Sequence, residues 1–65
     1  MNDPDHVHQV VVTRLVRQLY GFAQGLGLDE QATRGIVNQV INDMPTAPDD
    51  DRLARARDRM LIASA

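Results

Sequence analysis

The sequence predicts an all-α fold, a small three-helix bundle over residues 1–65 that is completed by dimerisation. Two observations carry this prediction. Apolar residues recur at helical spacing in three segments, and those segments are separated by the breaks QGLGLD and PTAP. In addition, seven of the nine acids fall in three clusters. Free amide donors at a helix N-terminus favour acidic side chains, so each cluster predicts the start of a helix. The clusters are Asp3 and Asp5, Asp29 and Glu30, and Asp49 to Asp51.

The first helix is predicted over about residues 4–25. Asp3 is expected to cap it, and Pro4 suits a first turn, where a missing N–H costs nothing. One face is apolar, which is typical of a bundle helix. That face comprises Val7, Val11, Leu15, Leu19, Phe22, Ala23 and Leu26, widened by Val12 and Val16. The run HVHQVVV at 6–12 is rich in β-branched residues, so a strand at this point is the alternative.

The second helix is predicted over about residues 30–43. Gly25 and Gly27 interrupt the preceding periodicity, and glycine is the usual stop after a helix. Asp29 is the expected cap, and Pro45 cannot continue the helix. The predicted apolar face is Ala32, Ile36, Val37, Val40, Ile41 and Met44.

The third helix is predicted over about residues 48–63. Thr46 followed by Asp49 resembles a capping box. The apolar stripe is narrower than in the other helices, with Leu53, Ala56, Met60 and Leu61. Because a chain of 65 residues buries only about 60% of its extended surface, a second copy is expected to complete the core.

Composition argues against several classes of function. The chain has no cysteine, its formal charge is −2, and it has no apolar run of the roughly 18 residues of a membrane span. A small-molecule pocket usually needs about 300–1,000 Å³, which a chain of this size rarely encloses. We therefore expect a cytoplasmic protein that is not an enzyme, with no cofactor and no membrane partner.

His6 and His8 are the only histidines, and they invite a metal hypothesis beside Asp5. In a helix, residues two apart point in nearly opposite directions, so the two rings cannot bind one ion. In a strand they can share a side, but two ligands are too few for a structural site. No metal site is predicted.

The leading functional hypothesis is a non-catalytic interaction or regulatory module that binds through helix surfaces. Its expected partners are a second copy of the chain and another protein. Tyrosine is enriched at interface cores, and arginine suits a polar rim. The residues predicted to form the contact surface are Val12, Val16 and Tyr20 on the first helix, with Arg52, Arg55 and Arg59 on the third.

The alternative hypothesis is a helix-turn-helix regulator that binds nucleic acid. The segment FAQGLGLDEQATRGIV at 22–37 has two predicted helices joined by a glycine turn, which is the arrangement of that motif. Arg52, Arg55 and Arg59 stand at i, i+3 and i+7 and would contact phosphates, as would Arg14 and Arg17. Against this, the second helix begins with two acids and carries only Arg34 as a cation.

Residues 19–41, LYGFAQGLGLDEQATRGIVNQVI, also resemble the helical hairpin in region two of sigma-70-type initiation factors. That resemblance covers about a third of the chain and implies binding to RNA polymerase. Arg34 and Gly35 stand where the pattern usually has acids, and no aromatic DNA-melting segment follows. No residue roles are carried over from it.

Overall fold

Three α-helices make up the part of the chain that the computed structural model describes, residues 4–65. They are α1 (Pro4–Gly25), α2 (Glu30–Asp43) and α3 (Asp49–Ser64). The predicted all-α bundle is confirmed, and the predicted bounds differ only at α3, which begins and ends one residue later. Residues 6–12 lie within α1, so the strand considered for this segment is wrong. The predicted cap Asp3 lies outside the described residues.

The joint between α1 and α2 has the glycine stop that the sequence predicts. Gly27 has φ +76°, a left-handed conformation that L side chains rarely adopt. The amide of Leu28 donates to the Ala23 carbonyl at 3.0 Å, and the amide of Gly27 donates to the Gln24 carbonyl at 3.1 Å. These two bonds form a Schellman motif and satisfy carbonyls that would otherwise be unpaired at the helix end.

Asp29 caps α2 as predicted. Its Oδ1 accepts a hydrogen bond from the Ala32 amide at 2.7 Å, and its own backbone is extended. Hydrogen bonds between residues close in sequence therefore stabilise the turn that reverses the chain between α1 and α2. As a result, α1 and α2 run antiparallel: His8 near the start of α1 contacts Asn38 of α2, and Arg34 donates to Thr13 Oγ1 at 3.2 Å.

The predicted cap of α3 is wrong. Pro48, not Thr46, occupies the N-cap position, and no side chain there accepts a capping hydrogen bond. Proline has an extended backbone at this position, and its carbonyl accepts from the amides of Asp51 and Arg52, both at 3.2 Å. Asp49 therefore lies inside the first turn, where its carboxylate is free to reach α1.

Two ion pairs show how α3 lies against the hairpin. Asp49 at its start accepts from Arg14 of α1 at 2.9 Å, while Arg59 in its second half donates to Asp43 at the end of α2 at 2.6 Å. The apolar side chains that α3 buries are Leu53, Ala56 and Met60. Each fully buried side chain of this size adds about 1.5–3 kcal/mol relative to exposure, apart from the smaller alanine.

The core is aliphatic and draws on all three helices. It comprises Val12, Leu15, Val16, Leu19, Ala23, Val37, Val40, Ile41, Leu53, Ala56 and Met60. Val7, Ala32 and Leu61 were predicted on the core faces but are exposed. Leu61 is 100° around the helix from the fully buried Met60, on the side that neither α1 nor α2 covers. Thr33, which the sequence pattern does not assign to the core, is buried and donates to the Asp29 carbonyl at 2.8 Å.

Candidate interaction surface

The residues predicted as the contact surface on α1 do not lie together on the outside. Val12 and Val16 are 3% and 6% exposed and belong to the chain's own core. Tyr20 is 57% exposed, and its hydroxyl accepts from Gln24 Nε2 at 2.8 Å. The apolar stripe of α1 is wide enough that both α2 and α3 pack on it. Val12 and Val16, which were predicted to face a partner, are therefore buried.

Arg52 is also buried, so the three predicted arginines do not form one exposed row. Its side chain is 11% exposed and turns back toward the loop after α2. Nε donates to the Met44 carbonyl at 3.0 Å, and Nη2 donates to the Pro45 carbonyl at 2.7 Å. Arg52 thus pairs carbonyls at the end of α2, where intrahelical partners run out.

Arg59 is half-buried and is held by α2. It donates to Asp43 at 2.6 Å and to Gln39 at 3.3 Å. Arg55 is exposed and makes no ion pair with any described residue. Of the predicted row, only Arg55 presents its charge to an external partner.

The α1–α2 joint uses its polar groups internally. The carboxylate of Asp29 caps α2, and Glu30 lies 3.4 Å from Arg34. Arg34 is the only cation of α2, and it also donates to Thr13. A phosphate backbone approaching the start of α2 would meet two carboxylates and an arginine that already has partners.

His6 and His8 both lie on helix α1, where residues two apart point in nearly opposite directions. His8 contacts Asn38 across the α1–α2 interface, and His6 is exposed. Among the side chains that the structure describes, those of residues 6–65, no group of three His, Cys, Asp or Glu is placed to hold a metal ion.

Two large apolar side chains lie exposed next to each other at the end of α3. Leu61 is 50% exposed and Ile62 is 75% exposed. The apolar stripe predicted for α3 includes Leu61 but not Ile62. A signal was present, because Met60 to Ile62 are three consecutive apolar residues that together span 200° of a helix, wider than one core-facing stripe.

These two side chains are part of a continuous exposed surface, which we call the outer face of α3. All of its members are exposed: Asp50, Asp51, Ala54, Arg55, Arg57, Asp58, Leu61 and Ile62. Arg55, Arg57 and Asp58 make no ion pair among the described residues, whereas Arg14, Arg34, Arg52 and Arg59 all do. The outer face therefore offers apolar area together with charges of both signs.

Concave regions also lie elsewhere on the described surface. A depression of about 600 Å³ runs along the outside of α1 around Val10 and is lined only by side chains of that helix. Because one helix supplies every wall, it cannot surround a small molecule. A smaller cleft of about 250 Å³ lies between α1 and the start of α2, with Tyr20 at its edge.

Comparisons with protein-family models, with curated proteins and with solved structures gave no match to this chain. None of the three helices within residues 4–65 is long and apolar enough to cross a membrane.

Proposed function

We propose that the protein is a small non-catalytic interaction module of the cytoplasm that acts through helix surfaces and associates with itself as a homodimer. The observation that carries the proposal is the exposure of Leu61 and Ile62 side by side on α3. Adjacent exposed apolar residues with polar neighbours are typical of a surface that another protein covers. The dimer is proposed to use the outer face of α3, where Arg55 of the predicted rim is also exposed. A further protein partner is proposed to bind a helix surface that the dimer leaves free.

The partners of the hydroxyl groups support a non-catalytic role. The Thr33 hydroxyl donates to the Asp29 carbonyl, and the Ser64 hydroxyl donates to the Leu61 carbonyl at 3.1 Å. Thr13 and Tyr20 accept from Arg34 and Gln24. An activated nucleophile needs a base within hydrogen-bond reach, and these four hydroxyls are instead used to hold helices and helix ends.

Self-association is tested by the mass of the particle in solution. Light scattering at micromolar concentration is expected to give twice the 7.2 kDa mass of the chain. Replacing Ile62 with Glu is expected to shift the equilibrium to monomer, because it places a charge in the proposed contact. The matched control is Val10→Glu, which places the same charge on an exposed valine of α1, outside the proposed contact. A native chain that stays monomeric at micromolar concentration would contradict the proposed homodimer.

Nucleic-acid binding is the second candidate, and the exposed charge of Arg55 and Arg57 is what favours it. Phosphate contacts release counterions, so such binding weakens steeply as salt is added. Four of the seven arginines are paired with carboxylates, which lowers the charge that is free to meet phosphate. A labelled duplex that the native chain binds at low salt, and that the Arg55→Ala variant does not bind, would favour this candidate over the interaction module.

A further inference from the structure

We infer that the homodimer forms by antiparallel pairing of α3 with α3 of a second copy, with Leu61 of each chain seated on Ala54 of the other. This inference rests on the self-association proposed above and specifies its surface and register. In a two-fold symmetric contact, if residue i faces j, then j faces i. The outer face of α3 must therefore be complementary to itself.

Side-chain size on the outer face meets this requirement. Ala54 and Leu61 are seven residues apart, so they lie two turns apart on one side of the helix, and both are exposed. Antiparallel pairing brings a large side chain of each copy over a small one of the other. The alanine leaves the space that the leucine fills, and this happens twice in the symmetric pair.

The charged residues on the outer face of α3 are also self-complementary in this register. Three residues forward from Ala54 is Arg57, and three residues back from Leu61 is Asp58. When Leu61 lies opposite Ala54 in an antiparallel pair, Arg57 therefore lies opposite Asp58, again twice. Neither side chain has an ion-pair partner among the described residues of its own chain. Complementary charges at an interface select orientation and register more than they add affinity.

Competing arrangements fit less well. A parallel pair in register would place Arg57 against Arg57 and Asp58 against Asp58. An antiparallel pair shifted by two residues would place Arg55 opposite Asp58, but it would also set the carboxylate of Asp51 against Ile62. Burying a carboxylate on an apolar side chain is unfavourable unless it finds a partner. The register with Leu61 on Ala54 avoids both conflicts.

The size of the contact determines the experiment. One helix pair of about four turns buries less than the roughly 1,600 Å² of a standard interface, so the dimer is expected to dissociate on dilution. Covalent trapping is therefore informative, and the chain contains no cysteine to complicate it.

The register is tested with the double variant Ala54→Cys/Leu61→Cys, incubated with oxidised glutathione and examined on a non-reducing gel. A disulfide needs Cα atoms within about 7 Å, which this register provides between position 54 of one chain and 61 of the other. The single variants Ala54→Cys and Leu61→Cys are the controls. Each is expected to give little dimer, because like positions are offset by seven residues, about 10 Å along the axis.

Efficient trapping through Ala54→Cys alone would instead show that like positions face each other, as in a parallel pair or in an antiparallel pair centred on position 54, and would overturn the inference. Efficient trapping through Val10→Cys, with none through the double variant, would place the contact on α1 and also overturn it. In both of those outcomes the proposed self-association would still stand. A native chain that remains monomeric by light scattering would overturn the inference and the homodimer together.

A charge reversal tests the Arg57–Asp58 contact without new cysteines. Arg57→Asp and Asp58→Arg are each expected to weaken the dimer by about tenfold, because each sets like charges opposite one another. Combining the two changes exchanges the signs and is expected to restore the dissociation constant to within about twofold of the native value. Sedimentation equilibrium measures the constants, and far-UV circular dichroism shows that each variant stays helical. Single variants that dimerise as well as the native chain would overturn this register.

Discussion

Arg52 donates from Nε to the main-chain carbonyl of Met44 at 3.0 Å, and this bond ties the first turn of α3 to the end of α2. A second bond from the same guanidinium reaches the Pro45 carbonyl at 2.7 Å. The planar fork of arginine suits two neighbouring carbonyl acceptors, and the site is nearly closed to water. Arg52 therefore acts as a structural clamp between two helices.

We predict that Arg52→Ala lowers the free energy of unfolding by about 2–3 kcal/mol, because two charge-assisted hydrogen bonds to main-chain carbonyls are lost together with the buried side chain that makes them. Arg52→Lys should recover part of this loss, since an ammonium cannot reproduce the fork. Urea denaturation followed by circular dichroism measures both. Arg55→Ala is the matched control on the same helix and should change stability by no more than about 0.5 kcal/mol. Equal effects of the Arg52 and Arg55 variants would contradict the clamp.

The helices could be predicted from sequence because their ends are encoded locally. Asp29 caps α2 and Gly27 stops α1 through bonds that span only a few residues. What could not be predicted depends on how the loop at 44–48 brings α3 against the hairpin. That placement buries Arg52, which a helical wheel assigns to an exposed row.

The candidate surface was predictable only in part for the same reason. A stripe on α1 shows that Val12 and Val16 are apolar, but not that other helices of the same chain cover them. Tyr20 and Arg55, which were predicted on the contact surface, are exposed, while the apolar end of α3 was assigned to the core or left out. Helical periodicity identifies an apolar face, whereas the number of helices that cover it is a property of tertiary structure.

Gly27 should tolerate a side chain poorly even though there is room for one. Its φ of +76° strains any L residue, although nothing lies within 4 Å of where a Cβ would stand. We predict that Gly27→Ala lowers stability by about 1 kcal/mol, which in a domain of this size corresponds to a drop in Tm of about 4–8 °C.

Gly21 is the control position, at which the same substitution is expected to change stability in the opposite direction. It lies within α1, has open space at the Cβ position, and has no positive φ. Gly21→Ala should therefore raise stability by about 0.5–1 kcal/mol, because alanine loses less conformational freedom in a helix. Thermal melts of both variants measure the difference, and a fall in Tm for Gly21→Ala comparable to that for Gly27→Ala would refute the assignment of strain to the turn.

The cap at Asp29 is expected to be worth more than the predicted cap at Thr46. Asp29→Ala removes the acceptor of the Ala32 amide and should cost about 1 kcal/mol, while Asp29→Asn should retain most of the stability. Thr46→Ala should have almost no effect, since Pro48 is the N-cap of α3 and no side chain caps it. Chemical denaturation of the three variants gives the comparison. A larger loss at Thr46 than at Asp29 would show that the assigned N-cap of α3 is incorrect.

The ion pair between Arg59 and Asp43 should show measurable coupling because it joins two helices at 2.6 Å with Arg59 half-buried. A double-mutant cycle with Arg59→Ala and Asp43→Ala is predicted to give about 0.5–1 kcal/mol, decreasing as salt is added. The comparison pair is Arg34 with Glu30, which lies within α2 at 3.4 Å and is more exposed. Its coupling should be about 0.3–0.5 kcal/mol, as for other pairs one helical turn apart. If the Arg59–Asp43 coupling is smaller than that of the comparison pair, or does not change with salt, this contact does not help to hold α3 against α2.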